Sequence, residues 1–132
     1  MITVAGKGYQ TLIECRQRGR LLRRQGFTID QVAIVLGLDY PFSPLRLYRY
    51  ATGLTATQVV AAYAQRDPGR STLRESRLYD YEAWPDSGRR PSIFALRLLA
   101  QIYQTHPARL VAPANIARYA LRDRGALLEE AE

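Results

Sequence analysis

Apolar residues recur every three or four positions through most of this 132-residue chain. The alternation of apolar and polar residues that marks a half-buried strand is hard to find, because Val, Ile and Thr are scattered. A spacing of three and four places apolar side chains along one face of an α-helix. We therefore expect an all-α fold in the form of a compact helical domain.

Length and hydropathy narrow the class of protein. A chain of 132 residues corresponds to about one domain and is long enough to bury a core. The longest apolar runs, Val32 to Leu36 and Val59 to Ala64, hold five or six residues, whereas a membrane-spanning helix needs roughly 20. Residues 1–8 lack the extended apolar core of a secretory signal. We expect a cytoplasmic protein with no membrane partner.

The charge of the chain is strongly basic. It carries 19 basic and 12 acidic residues, which gives a net charge of +7. The excess is uneven, since residues 1–30 alone hold six basic and two acidic groups. An excess of this size on a small domain favours an acidic partner, most often nucleic acid.

Residues for catalysis or metal binding are scarce. Cys15 and His106 are the single cysteine and the single histidine. Neither a Cys/His zinc cluster nor a Ser/His/Asp triad is therefore expected. We expect no metal, no cofactor and no enzymatic activity.

Cap residues and helix breakers divide the chain into predicted helices. Thr28, Thr55 and Ser92 are good N-caps. Three glycines are expected to end helices, at positions Gly26, Gly37 and Gly53. The predicted helices cover residues 9–25, 29–36, 44–52, 56–65, 72–83, 93–103 and 114–131.

Two prolines in four residues, Pro41 and Pro44, interrupt the helical pattern and predict a boundary. We divide the chain into a basic helical hairpin over 1–40, a central domain over 41–105, and a C-terminal helix for dimerisation or linkage over 106–132.

Two short stretches of the chain echo each other. Residues 26–32 and 53–59 share Gly, Thr, Gln and Val in register, 27 positions apart. Each stretch describes a helix end, an apolar residue, a cap and a new helix. The echo reflects either the parts that any helical hairpin needs or two related helix-turn-helix units in tandem.

Four runs in the central segment form a set. They are Arg49 to Thr55, Leu78 to Glu82, Tyr81 to Pro85, and Gly88 to Ser92 followed by Leu96, Leu99 and Ala100. With these runs, residues 44–105 resemble the XRE family of helix-turn-helix regulators related to the phage repressors, in a variant common in actinobacteria. The resemblance implies a lambda-repressor-like helix-turn-helix and a transcriptional regulator that binds double-stranded DNA, as a homodimer on a two-fold-symmetric operator.

The same resemblance assigns roles within the central domain. It implies that Arg49 touches Glu82 at the end of a recognition helix over residues 72–83. The residues expected to read bases from that helix are Arg74, Glu75, Ser76, Arg77, Tyr79 and Asp80. Either Arg74 or Arg77 is suited to guanine, while a carboxylate on this helix could accept from a cytosine amino group. A merely solvated face is the other interpretation.

Phosphate contacts are expected on either side of the recognition helix. The expected ligands are Thr57, Gln58, Arg89, Arg90 and Ser92. By the resemblance, Arg89 and Arg90 lie against the DNA backbone, and the amides that follow the Ser92 cap add an anion site. The turn over 66–70 is longer than usual, so it either reaches DNA or alters the angle of the helix pair.

The first predicted helix lies outside the resemblance. Its arginines are Arg16, Arg18, Arg20, Arg23 and Arg24. They form a phosphate clamp, a site for an acidic protein centred on Arg16, Arg20, Arg23 and Arg24, or a solvated face.

The C-terminal helix over 114–131 also lies outside the resemblance. Its apolar residues could pair with a second copy or continue into an effector domain, and they are Ile116, Tyr119, Ala120, Leu127 and Leu128.

A second class of function stays open beside the DNA-binding regulator. It is a helical protein-interaction module, such as an antitoxin or adaptor, that kept the fold and binds an acidic protein.

Overall fold

A computed structural model of the chain describes residues 4–69 and 73–130. Those ranges contain helices and no strand, so the predicted all-α class is confirmed. The α-helices are α1 (Val4–Arg24), α2 (Ile29–Asp39), α3 (Pro44–Thr52), α4 (Ala56–Arg66), α5 (Glu75–Ala83), α6 (Ile93–Tyr103), α7 (Pro113–Ile116) and α8 (Leu121–Glu130), with a 3₁₀ helix at Pro107–Leu110 between α6 and α7. None of the helices in these ranges has both the length and the apolar character to cross a bilayer.

Some predicted features fall outside the described residues. They are Thr72, the expected start of the recognition helix, Arg70 of the long turn, Ala131 at the expected end of the last helix, and residues 1–3.

α3 lies at the centre of the fold. It contacts α1, α2, α5, α6 and the 3₁₀ helix. Its buried residues are Leu45, Leu47, Tyr48, Arg49, Tyr50 and Ala51. The three segments proposed from the sequence share one hydrophobic core, to which 1–40 contributes Val32, 41–105 contributes Leu99 and 106–132 contributes Leu127.

The predicted N-caps of α2 and α4 form the same hydrogen-bond pattern. The Thr28 Oγ1 accepts from the Gln31 amide at 3.1 Å, and the Gln31 side chain accepts from the Thr28 amide at 2.9 Å. Thr55 and Gln58 repeat both bonds at 3.2 and 2.9 Å. Each pair is a capping box, which satisfies two of the amide donors that a helix start leaves unpaired.

The glycines before these caps also agree. Gly26 and Gly53 take left-handed φ values of 95° and 77°, which glycine adopts without a steric cost. Val32 and Val59, four positions after each cap, are fully buried. The sequence pattern shared by residues 26–32 and 53–59 therefore forms the same local structure in both places.

Gly37 does not end α2, contrary to our prediction. The helix continues to Asp39. A Cβ atom at Gly37 would lie 3.3 Å from Leu47 Cδ1. The glycine thus permits close packing of α2 on α3, and its packing outweighs its weak helix propensity.

The helix predicted over residues 72–83 begins later than predicted, at Glu75 instead of residue 72. Arg74 occupies the N-cap position with extended backbone angles, and its side chain makes no capping bond. Arginine has no short side-chain oxygen with which to cap the helix.

The prediction of one continuous helix over 114–131 is wrong. The chain forms α7 and α8 with a break between them, and Tyr119 in the break is 3% exposed. The Tyr119 hydroxyl donates to the Pro91 carbonyl at 2.8 Å, and its ring meets Trp84 edge to face at 5.8 Å. Arg124 donates to the Tyr119 and Ala117 carbonyls at 2.8 and 3.0 Å, which supplies partners to backbone groups in the break. Burial of Tyr119 against the central domain outweighs helix continuity.

One polar network connects distant parts of the chain. The Asp30 carboxylate accepts hydrogen bonds from the Tyr48 hydroxyl and the Thr105 hydroxyl, both at 2.6 Å. The three residues belong to α2, to α3 and to the turn after α6. The network therefore joins the N-terminal hairpin to the far end of the central domain.

Candidate functional site

The site is organised by a buried ion pair between α3 and α5. Arg49 Nε donates to Glu82 Oε2 at 2.6 Å, and Arg49 Nη2 donates to Glu82 Oε1 at 3.0 Å. The two side chains are 7% and 5% exposed. The contact expected from the resemblance is thus present, in a bidentate geometry that orients both groups.

The environment of Arg49 preserves its charge. Burial by itself lowers the pKa of Arg49, but the hydrogen bonds and the negative charge of Glu82 outweigh burial and raise that pKa above its usual value. Glu82 lies in the last turn of α5, one turn after the fully buried Leu78. These two residues hold one face of α5 toward the core.

The opposite face of α5 is open to solvent. Five of the six predicted base-reading residues are exposed, namely Arg74, Glu75, Ser76, Tyr79 and Asp80, and Arg77 is half-buried. Neither Arg74 nor Arg77 forms an ion pair with a residue of the described ranges. Both guanidinium groups are therefore available to an external acceptor.

A groove brings most of the predicted reading residues beside the start of α6. Its volume is about 460 Å³. The lining from α5 and its N-cap consists of Arg74, Ser76, Arg77, Asp80 and Tyr81. Ser92 and Phe94 line the other side. The structure thus places base-reading candidates and the phosphate candidate Ser92 on one surface.

Thr57 and Glu75 are engaged with each other. The Thr57 hydroxyl donates to Glu75 Oε2 at 3.2 Å across the N-termini of α4 and α5. This bond uses the hydroxyl assigned to phosphate and one oxygen of the carboxylate assigned to a base. Gln58, the other candidate on α4, is exposed but uses its side-chain oxygen in the capping box.

Arg89 and Arg90 have different surroundings, although the sequence assigned them one role. The Arg89 side chain is exposed, and its amide donates to the Asp80 carbonyl at 3.1 Å. Arg90 Nη1 donates to the Arg118 carbonyl at 2.6 Å, and its guanidinium lies 5.1 Å from the Tyr119 ring centre. Arg90 is therefore docked on the C-terminal segment, and Arg89 is the more available of the two.

Gly88 sets the path of the chain after α5. Its φ is +73°, and a Cβ atom built there would lie 2.1 Å from the Asp80 carbonyl oxygen. No side chain fits such an approach to backbone. Gly88 belongs to the sequence motif over residues 88–92, but nothing in that motif indicates this role.

The arginines of α1 surround a second concave surface, which we call the basic cleft. It has a volume of about 290 Å³ and is lined by Arg16, Arg20, Arg23, Arg24, Ala51, Thr52 and Gly53. Arg16 Nη2 donates to the Gly53 carbonyl at 2.9 Å, and Arg23 Nη1 donates to the Thr52 carbonyl at 3.3 Å. These bonds cap the C-terminal end of α3, where the helix dipole favours positive charge.

Sequence reasoning missed this capping role. Arg16 and Arg23 lie 37 and 29 positions from their acceptors. No local pattern connects residues so far apart, so only the packing of α1 on α3 exposes the role.

No family model matches the chain, and no curated protein or solved structure is significantly similar to it.

Proposed function

We propose that the protein is a sequence-specific DNA-binding transcriptional regulator of the XRE type, in which α5 enters the major groove. The observation that carries the proposal is the buried Arg49–Glu82 pair. It fixes α5 on α3 while the polar face of α5 stays exposed. A reading helix needs this combination, because its neighbours must hold it rigidly while its outer side chains reach the bases.

In this proposal, the residues at the start of α5 contact the bases. Recognition helices of helix-turn-helix proteins contact base edges with their N-terminal residues. Arg74 and Arg77 are the donors without an ion-pair partner among the described residues, and either can bind guanine O6 and N7 with two hydrogen bonds. Ser76 lies between them on the same groove.

In this proposal, residues on either side of α5 contact the phosphates of the DNA backbone. Arg89 supplies an exposed charge, and Ser92 caps α6, whose first residues line the groove. Thr57 and Gln58 on α4 are further candidates for phosphate contacts. The Thr57 hydroxyl would have to leave Glu75, and the Gln58 side-chain oxygen is used in the capping box. Such contacts position the protein without reading sequence.

The regulator is proposed to act in the cytoplasm as a homodimer, without a cofactor or an enzymatic activity. Tyr119 and Leu127, expected to pair with a second copy, are buried within the chain itself. Leu121 and Leu128 on α8 are 77% and 54% exposed and remain for pairing. Sedimentation of the protein with and without DNA would measure the stoichiometry.

Selection of bound sequences from a random duplex pool, followed by binding titrations, tests the proposal. Arg77→Ala should relax the preference at one base pair, by about 1–3 kcal/mol. Arg89→Ala should weaken binding to all duplexes alike and reduce the slope of log affinity against log salt by about 0.9. Arg122→Ala, which removes an exposed charge on α8, is the control and should change neither property.

Absence of duplex binding at low salt would overturn the proposal. The helical interaction module would then be the better interpretation. Its supporting observation is the presence of two exposed carboxylates, Glu75 and Asp80, on the face of α5, since these repel phosphates.

A further inference from the structure

The basic cleft holds more positive charge than its contacts within the chain require. Arg16 and Arg23 each donate to a carbonyl at the end of α3. Arg20 and Arg24 line the same cleft, are exposed, and make no ion pair or hydrogen bond with a described residue. No carboxylate lines the cleft.

Arg18 shows that the charges of α1 are not all left open. It forms an ion pair with Asp39 of α2, and it does not line the cleft. Among the arginines of α1, Arg18 is therefore neutralised by an ion pair, whereas the other four line a cleft that contains no acidic residue.

The cleft lies next to the start of α4. Thr52 and Gly53 line it, and α4 begins at Ala56, at most about 14 Å of extended chain from Thr52. At the start of α4, Thr57 is bonded to Glu75 at the start of α5. The cleft is thus connected to the N-terminus of the proposed reading helix through the start of α4.

We propose that the basic cleft binds a phosphate of the DNA backbone beyond the part of the duplex that α5 reads. A duplex with α5 in its major groove passes the N-termini of α4 and α5, and so reaches the adjoining cleft. Planar guanidinium groups suit phosphate oxygens because they donate two parallel hydrogen bonds. This inference rests on the proposed function and adds α1 to the DNA-binding surface.

The test compares the full chain with the double variant Arg20→Gln/Arg24→Gln in titrations over a salt series. Both changes are at exposed positions outside the groove of α5. The variant should lower the salt slope by about 0.9, so that between about 50 and about 200 mM salt the unmodified protein loses roughly 3.5-fold more affinity than the variant. The decrease in affinity that the double substitution causes should be equal for selected and unrelated duplexes.

The matched control is Arg18→Gln/Arg122→Gln, which removes the same number of charges away from the cleft. It should leave the salt slope within about 0.5 of the original value. An equal reduction of the salt slope in both double variants would assign the effect to net charge and overturn the proposed phosphate site in the basic cleft.

Two further outcomes separate this inference from the proposed function. If the salt dependence is steep and Arg20→Gln/Arg24→Gln leaves it unchanged, the proposed phosphate site in the basic cleft is overturned, whereas the proposed DNA binding is not. Absence of duplex binding by the unmodified protein would remove both. Binding of poly-L-glutamate as tightly as duplex, lost in the same variant, would assign the cleft to an acidic protein and overturn the phosphate assignment.

Discussion

Arg49 and Glu82 are the buried charged residues of the described chain. Their removal from water costs free energy that their mutual attraction only partly recovers, so such a pair contributes more to orientation than to net stability. Here it joins α5 to α3 through two buried hydrogen bonds. The remaining hydrogen-bonding group nearby, the Tyr103 hydroxyl, is buried without a partner in the described residues, and burial first, then the charge of Glu82, raises its pKa.

Glu82→Ala should destabilise the protein by about 3–5 kcal/mol, because it leaves the Arg49 guanidinium buried without its counter-charge. Urea unfolding followed by circular dichroism would measure the change. Asp86→Ala, an exposed residue just after α5, is the control and should change stability by less than about 0.5 kcal/mol.

A double replacement tests the interpretation of the pair. Arg49→Met/Glu82→Leu removes both charges and should cost much less than Glu82→Ala alone. A double variant that is as unstable as Glu82→Ala would show that the pair itself, and not the uncompensated charge, carries the stability.

At the scale of elements, the ends of helices decide the course of the chain. Thr28, Thr55 and Ser92 start three helices through their own side-chain oxygens. Gly53 and Gly88 turn the chain at positive φ. Gly53 has open space where a Cβ would stand, whereas at Gly88 the Asp80 carbonyl fills it.

Gly88→Ala and Gly53→Ala therefore form a graded pair. Gly53→Ala should cost about 1 kcal/mol, the strain of an alanine at positive φ. Gly88→Ala adds the collision with the Asp80 carbonyl and should cost more than about 2 kcal/mol. Thermal unfolding would measure both, and equal costs would mean that the backbone near Asp80 moves freely.

The starts of α2, α4 and α6 were predictable because the chemistry of their caps is local. A cap oxygen and the backbone amide that donates to it lie within four residues, so the sequence displays both partners. Gly37 and Tyr119 were mispredicted because their roles depend on Leu47 and Pro91, residues that are distant in the chain. The Arg49–Glu82 contact, 33 positions apart, was accessible only through the resemblance.

At the scale of the molecule, polar contacts attach the outer segments to the shared core. Arg90 and Tyr119 attach the C-terminal segment, and Asp30 attaches the N-terminal hairpin. The segments proposed from the sequence describe regions of one structure that depend on each other for packing.

Arg90→Ala should loosen the C-terminal segment. It removes the hydrogen bond to the Arg118 carbonyl and the contact with the Tyr119 ring. Amide exchange in α8 should become about fivefold faster, which corresponds to about 1 kcal/mol. Arg89→Ala removes a neighbouring exposed guanidinium without such contacts and should leave that exchange unchanged; equal acceleration in both variants would contradict the docking role.

Stability should fall in acid through Asp30. Burial by itself raises the pKa of Asp30, but hydrogen bonds from Thr105 and Tyr48 outweigh it and lower the pKa below its usual value. A lowered carboxyl pKa contributes stability above the unfolded-state value, about 3.9, and the contribution is lost as the pH falls toward the folded-state pKa.

Asp30→Asn should therefore be less stable than the original protein near pH 6, and the difference should shrink between about pH 4 and about pH 2. Urea unfolding over a pH series would measure it. Asp86→Asn should keep the original pH profile. A difference between Asp30→Asn and the original protein that is constant with pH would contradict the assignment.

The bond between Thr105 and Asp30 also bears on the order of folding, since it spans 75 positions of the chain. Contacts this distant close only after loop entropy has been overcome, whereas neighbouring helices such as α1 and α2 meet across short turns. We expect the network to form after the rate-limiting step. Thr105→Val should then accelerate unfolding and leave the refolding rate nearly unchanged in stopped-flow measurements, which makes this hydroxyl a determinant of how long the native state persists once formed.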